Sequence, residues 1–161
     1  MRKFNNEAAV AAIELEQMIV DWARGIDENY GLTASSYFTS DLIYSAGRVS
    51  FEGREAMDEF YTGRRAAVGA EAPDGVRTAR HMVSNFRAIV HDAGQATVTF
   101  MITNFSAFGA PPLFHATTPT VVSDVRCECR RSDAGEWRIA EFYGAPIFVG
   151  NDAFLTKSLV G

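Results

Sequence analysis

Two residues carry types and placements that could do chemistry. Asp27 follows Ile26 and lies four residues after Ala23, so it borders an apolar helical stripe rather than a solvated face. A carboxylate at a helix C-terminus meets the negative end of the macrodipole, which disfavours its ionised form. Such a placement costs stability, although an Asp-Glu-Asn capping turn is the plainer reading. Tyr30, about one turn further, falls on the same side. His81 lies inside a long extended run, Thr78-Ala-Arg-His-Met-Val-Ser-Asn-Phe-Arg87, where it is either a hydrogen-bonded core residue or a site base. If the two met, the carboxylate would fix the imidazole tautomer and the imidazole would move a proton near neutral pH.

The remaining chemistry-bearing residues say less. Tyr44, in Leu42-Ile-Tyr-Ser-Ala46, is core or a pocket donor. His91 precedes Asp-Ala-Gly and reads as a turn residue, and His115 lies in a proline-rich loop that could reach over a pocket mouth. Alternation puts Arg80 on the face opposite His81, and the arginines in general read as solvated. No Gly-rich phosphate loop, nucleophile elbow or metal-ligand spacing is present. The Phe and Met set, with Phe60, Phe86, Phe100, Phe105 and Phe142 in it, reads mostly as core and partly as the wall of any pocket.

The elements that must position these residues follow from periodicity. Ala12, Leu15, Ile19, Trp22 and Ile26 recur at spacings of three and four, the stripe of an amphipathic helix that fades over Asp27–Gly31. A short helix is expected over Leu32–Phe38, then two short strands over Asp41–Gly47 and Arg48–Phe51. Another helix opens in Phe51-Glu-Gly-Arg-Glu-Ala-Met-Asp-Glu-Phe-Tyr61. Four long strands follow, Val76–His91, Gln95–Phe108, Thr120–Arg131 and Glu136–Ile147, with two Asp-Ala-Gly hairpin turns. Helices first and then a meander of strands is an α+β class. Strands this long must twist, and a curled antiparallel sheet with N-terminal helices over its mouth encloses a pocket. Asp27 reaches His81 only if the first helix lies across that sheet. The tail from Phe148 is expected to form a short helix or lid over the pocket or against a neighbouring subunit.

Composition narrows the function classes. The 161 residues suffice for one domain with a substantial core, residues 1–161, and 47% are hydrophobic with 12 Phe among them. A net charge of −5 argues against a nucleic-acid binder. Cys127 and Cys129, two apart on one strand, cannot form an unstrained disulfide, so free thiols and a reducing, cytoplasmic compartment are expected. No secretion signal and no membrane span is read. No metal and no cofactor is expected.

Three stretches resemble the nuclear-transport-factor-2-like (cystatin-like) superfamily, and within it the SnoaL-like polyketide cyclases and scytalone dehydratase. They are Trp22-Ala-Arg-Gly-Ile-Asp27, Phe51–Tyr61 and Arg80-His-Met-Val-Ser-Asn85, supported by Gly135-Glu-Trp-Arg-Ile-Ala-Glu-Phe142. The resemblance implies a cone-shaped half-barrel with Asp27 and His81 as catalytic residues. It further implies Tyr44 and Tyr30 as the tyrosines and Ser123 on the third long strand, with Val125 replacing a pocket asparagine. Trp22, Phe60 and Asn85 complete the expected pocket. The dehydratase's second pocket histidine has no counterpart in Thr99–Ser106. The expected function is a cofactor-independent lyase or isomerase on a small apolar aromatic or cyclic substrate, in a homodimer or homotrimer. The alternatives are a ligand-binding protein or the small subunit of a ring-hydroxylating oxygenase; an epoxide hydrolase would need an Asp–Arg–Asp cluster that is not placed here.

Overall fold

The computed structural model describes the backbone of residues 5–114 and 118–159 and the side chains as far as Thr156. His115 falls outside the described residues. The chain begins with helix α1 (Asn6–Asn29), followed by a 3-10 turn at Ala34–Tyr37, strands β1 (Phe38–Ala46) and β2 (Val49–Glu52), and helix α2 (Arg54–Glu71). Four long strands come next: β3 (Arg77–Val90), β4 (Gln95–Phe108), β5 (Val121–Arg131) and β6 (Trp137–Val149). A short helix, α3 (Ala153–Leu159), ends the described chain.

All six strands form one sheet in the order β2-β1-β6-β5-β4-β3. Every neighbouring pair is antiparallel except β1 with β6, which is parallel. The sheet is therefore mostly antiparallel, curled and unclosed, because β2 and β3 do not pair. This is the α+β half-barrel expected from the element order. The expected second helix contracts to the 3-10 turn, and β1 starts three residues earlier than the apolar pattern suggested, with Phe38 and Leu42 wholly buried.

Local rules explain how α1 is delivered to the sheet. The Asn5 side chain accepts the Ala8 backbone N–H at 2.7 Å, capping the first turn. Leu15, Ile19, Trp22 and Ala23 form the buried stripe, and the helix lies along β3. It stops where Tyr30 turns left-handed (φ 62°) and Gly31 follows at φ 81°. Gly31 is required there for a second reason: a Cβ on it would lie 2.3 Å from the Tyr61 ring. The core between helices and sheet is strongly aromatic. Tyr44 is stacked between Phe51 and Phe142, with ring centroids 4.7 and 4.8 Å away, and Trp22 packs on Phe38 and Phe142. Cys127 and Cys129 are free thiols in this core, and burial pushes both well up, Cys129 to about 12.

Candidate active site

The last turn of α1 brings Asp27 against β3. Asp27 Oδ1 lies 2.6 Å from His81 Nδ1, and Asp27 Oδ2 accepts the His81 backbone N–H at 2.9 Å. One carboxylate thus holds both the ring and the main chain of one histidine. The pair is enclosed, with side-chain exposures of 9% for Asp27 and 14% for His81. On the far side of the ring, His81 Nε2 lies 2.8 Å from Asn104 Nδ2. Asn104 Oδ1 lies 3.1 Å from Ser106 Oγ, and the amide turns its N–H groups toward the imidazole. The network therefore assigns the proton to Nδ1 and leaves the Nε2 lone pair as the acceptor. That is the form in which an imidazole acts as a base.

A β-bulge decides which way His81 points. Below it, Arg87 to Val90 pair with Thr99 to Ala96; above it, Ser84 to Arg77 pair with Met101 to Phe108, shifted by one residue. The extra residue includes Asn85, held at φ 54°, a conformation asparagine tolerates better than most side chains. Because side chains alternate with period two, a one-residue insertion exchanges the faces. Ala88 and Phe86 point inward on one side of the bulge, and Val83 and His81 on the other, while Met82 is 58% exposed. Asn85 itself is exposed and contacts Met101 Sδ on the outer face. The expectation of Asn85 as a pocket residue is therefore corrected: it shapes the strand that aims His81.

The same bulge explains why Asn104 escaped notice. Counting across the hairpin from the Val90–Ala96 pair sets His81 opposite Phe105, whereas the shifted register sets it opposite Asn104. Asn104 is one of the few wholly buried polar side chains.

His81 and Asn104 open on a cavity of about 100 Å³ between the sheet and the helices. Trp22, Tyr44, Phe60, Ser123 and Val125, all expected at the pocket, line it. Tyr30 does not. It caps α1, and the Arg65 guanidinium sits 4.5 Å above its ring, so the helix end turns it away from the cavity. Burial pushes the Tyr44 hydroxyl well up and the Tyr61 hydroxyl to about 12, so both stay protonated donors. Tyr61 and Arg64 are lining residues that the sequence reading did not single out. The signal was present: Met57, Tyr61, Arg64 and Val68 follow one another at four, three and four residues, so Arg64 interrupts the buried stripe of α2. Among the described residues no three His, Cys, Asp or Glu side chains gather as they would around a metal ion.

The C-terminal segment closes over one end. Leu155 of α3 lines the cavity, in keeping with the expected lid. Asp152 caps α3 by accepting the Phe154 and Leu155 backbone N–H groups. Its other oxygen pairs with the buried Arg77 and accepts from Ser106 Oγ. Burial alone would raise this carboxyl, but Arg77, the Leu155 N–H and Ser106 together hold it below its usual value. Ser106 thus touches both Asp152 and Asn104, joining the α3 tether to the dyad. No described helix is long and apolar enough to cross a membrane.

Comparisons with known proteins agree with this fold. The structure is similar to a protein from Novosphingobium aromaticivorans provisionally named a scytalone dehydratase, with TM-score 0.72 and 15% identity over 90% of this chain and 89% of that one. It is similar to an NTF2-like protein with a cystatin-like fold from the same organism, with TM-score 0.68 and 18% identity over 100% and 99%. It is also similar to the β subunit of benzoate 1,2-dioxygenase from Burkholderia mallei, with TM-score 0.68 and 11% identity over 96% and 99%. No curated protein matches the chain by sequence. The SnoaL-like domain model matches residues 9–143, the span that holds most of α1, Asp27, His81 and most of the sheet, and the chain belongs to that SnoaL-like family.

Proposed function

We propose that the protein is a cofactor-independent lyase or isomerase acting on a compact cyclic or aromatic carbon acid. The observation that supports this is the enclosed Asp27–His81 pair with an acceptor nitrogen facing a largely apolar cavity. A scaffold or simple ligand carrier gains nothing from burying a carboxylate beside an imidazole, because desolvating both is costly. His81 Nε2 removes a proton from a carbon next to a carbonyl, the substrate C–H taking the place of the Asn104 N–H, and Asp27 stabilises the imidazolium that results. Donors such as Tyr44 and Ser123 hold the oxygen on which negative charge develops. The proton then returns at another position, in an isomerisation or cyclisation, or a leaving group departs, in a dehydration or loss of a small fragment. A cavity of about 100 Å³, smaller than the ~150 Å³ that takes benzene, limits the substrate to about one ring, only partly enclosed.

The test is hydrogen exchange. Single-ring ketones and phenols with acidic C–H bonds are incubated with the protein in D2O, and deuterium uptake is followed by NMR. The wild-type protein should accelerate uptake for at least one of them. His81→Ala and Asp27→Asn should each lower that rate about a hundredfold or more while leaving the far-ultraviolet circular dichroism unchanged. Near-normal rates in either variant overturn the dyad. Co-purification with a large iron–sulfur subunit would instead favour an oxygenase small subunit, the reading that rests on the fold shared with the dioxygenase β subunit.

A further inference from the structure

The cavity wall is rich in hydrogen-bond donors that nothing in the protein uses. Arg64 lines it, yet makes no ion pair and no hydrogen bond with any described residue. Its neighbour Arg65 is engaged with the Tyr30 ring and the Gly75 carbonyl. The Tyr44 and Tyr61 hydroxyls, on side chains 7% and 3% exposed, likewise have no hydrogen-bond partner among the described residues, and neither has Ser123 Oγ. The indole N–H of Trp22, 2% exposed on the same wall, is buried and unpartnered.

The carboxylate, imidazole and amide acceptors of the site, by contrast, have partners. Both Asp27 oxygens are held by His81, His81 Nε2 by Asn104, and Asn104 Oδ1 by Ser106. The lining therefore carries one unpaired formal positive charge, several free donors and no free negative charge. A half-buried unpaired cation and a buried orphaned indole N–H in an apolar wall favour a ligand that supplies acceptors. Burial pushes the Arg64 guanidinium down from its usual value, opposed in part by Tyr61, Tyr44 and Asp152, while Arg77 adds to it.

Helix α2 places Tyr61 and Arg64 three residues apart on one face, beside Phe60, so the cation stands next to a hydroxyl donor and an apolar ring. A guanidinium presents a planar fork that matches a carboxylate at two points. We propose that the substrate is an anion, a single-ring compound bearing a carboxylate that seats on Arg64, with the Tyr61 and Tyr44 hydroxyls as flanking donors. This deepens the carbon-acid reading given above and rests on it for the chemistry, but not for the binding. The carboxylate fixes one end of the ring and leaves another edge toward His81.

The test uses benzoate and benzamide, which share shape but differ in charge, titrated calorimetrically into the whole protein. Wild type should bind benzoate at least tenfold more tightly than benzamide. Arg64→Gln should abolish that preference, and Arg64→Lys should keep part of it; circular dichroism establishes that both variants are folded. Calorimetry reads binding without turnover, so the result stands apart from the exchange assay that judges the dyad. Equal binding of the two compounds by wild type overturns the proposal. Retention of the full preference in Arg64→Gln, or no benzoate binding at millimolar concentrations, does the same.

Discussion

Asp27 grips His81 at two points, accepting its backbone N–H at 2.9 Å and its ring Nδ1 at 2.6 Å. Both contacts need an acceptor, and an amide offers only one. In Asp27→Asn, either the amide NH2 opposes the His81 backbone N–H, or the ring must take the other tautomer and place a proton on Nε2 against Asn104. The expected outcome is a change in the His81 imidazole nitrogen shifts by NMR, together with a loss of turnover of about a hundredfold or more. Unchanged nitrogen shifts would show that the carboxylate does not set the tautomer.

Asn85 is predicted to matter for shape rather than contact. It occupies a left-handed conformation within the bulge that turns His81 inward. Asn85→Gly should keep stability and activity close to wild type, since glycine accepts this conformation freely. Asn85→Ile should cost about 1–2 kcal/mol, the penalty of a left-handed residue carrying a branched Cβ. It should also lower turnover by misaligning His81. Equal urea midpoints for the two variants would show that the left-handed conformation at residue 85 does not set stability.

This bulge marks where reading the chain stops short. The element order, the hairpin turns and the candidacy of Asp27 and His81 follow from residue type and period, because each is local, whereas their meeting depends on α1 crossing the sheet. A bulge has no strong local signature in Ser84-Asn-Phe-Arg87, yet it moves every cross-strand partner above it by one. Hence Asn104 was missed and Asn85 placed on the wrong face. Tyr30 failed for a related reason: its position on the helical stripe is right, but the helix ends there and the chain turns. Arg64 was readable in principle, since a charge at the stripe position between Tyr61 and Val68 breaks the pattern of α2. A long basic side chain usually escapes to water from such a position, so residue type alone assigns Arg64 to the solvent.

Gly31 couples the end of α1 to the cavity wall. A Cβ there would lie 2.3 and 2.4 Å from Tyr61 Cδ1 and Cε1, at a backbone φ of 81°. Gly31→Ala should destabilise the protein by about 1–3 kcal/mol. It should also weaken benzoate binding by displacing Tyr61. Thermal unfolding with and without benzoate checks both, and an unshifted melting temperature would contradict the contact.

Arg64→Met should raise stability in the absence of ligand. It removes an unpartnered cation from an enclosed wall and supplies apolar surface in its place. The gain is about 1 kcal/mol, kept small because the guanidinium retains some access to water. Saturating benzoate should reverse the ranking, since a ligand stabilises only the form that binds it. A lower urea midpoint for the ligand-free variant would show that Arg64 serves the fold instead.

Asp152 sets the acid limit of the C-terminal tether. Its carboxyl is held below the ordinary value of 3.8 by Arg77, the Leu155 N–H and Ser106, against the opposing effect of burial. A group whose folded value is depressed contributes stability that is fully present above its unfolded value. That contribution is lost as pH falls through the folded value. The stability difference between wild type and Asp152→Asn should therefore be constant near neutrality, at roughly 2 kcal/mol for a lost charge-assisted hydrogen bond. It should shrink below about pH 4. Asparagine keeps the cap on α3, so this variant isolates the pairing with Arg77 from the helix start itself. Urea unfolding from pH 3 to pH 7, followed by tryptophan fluorescence, reads the difference. A gap that widens on acidification would mean that burial, and not Arg77, governs this carboxylate.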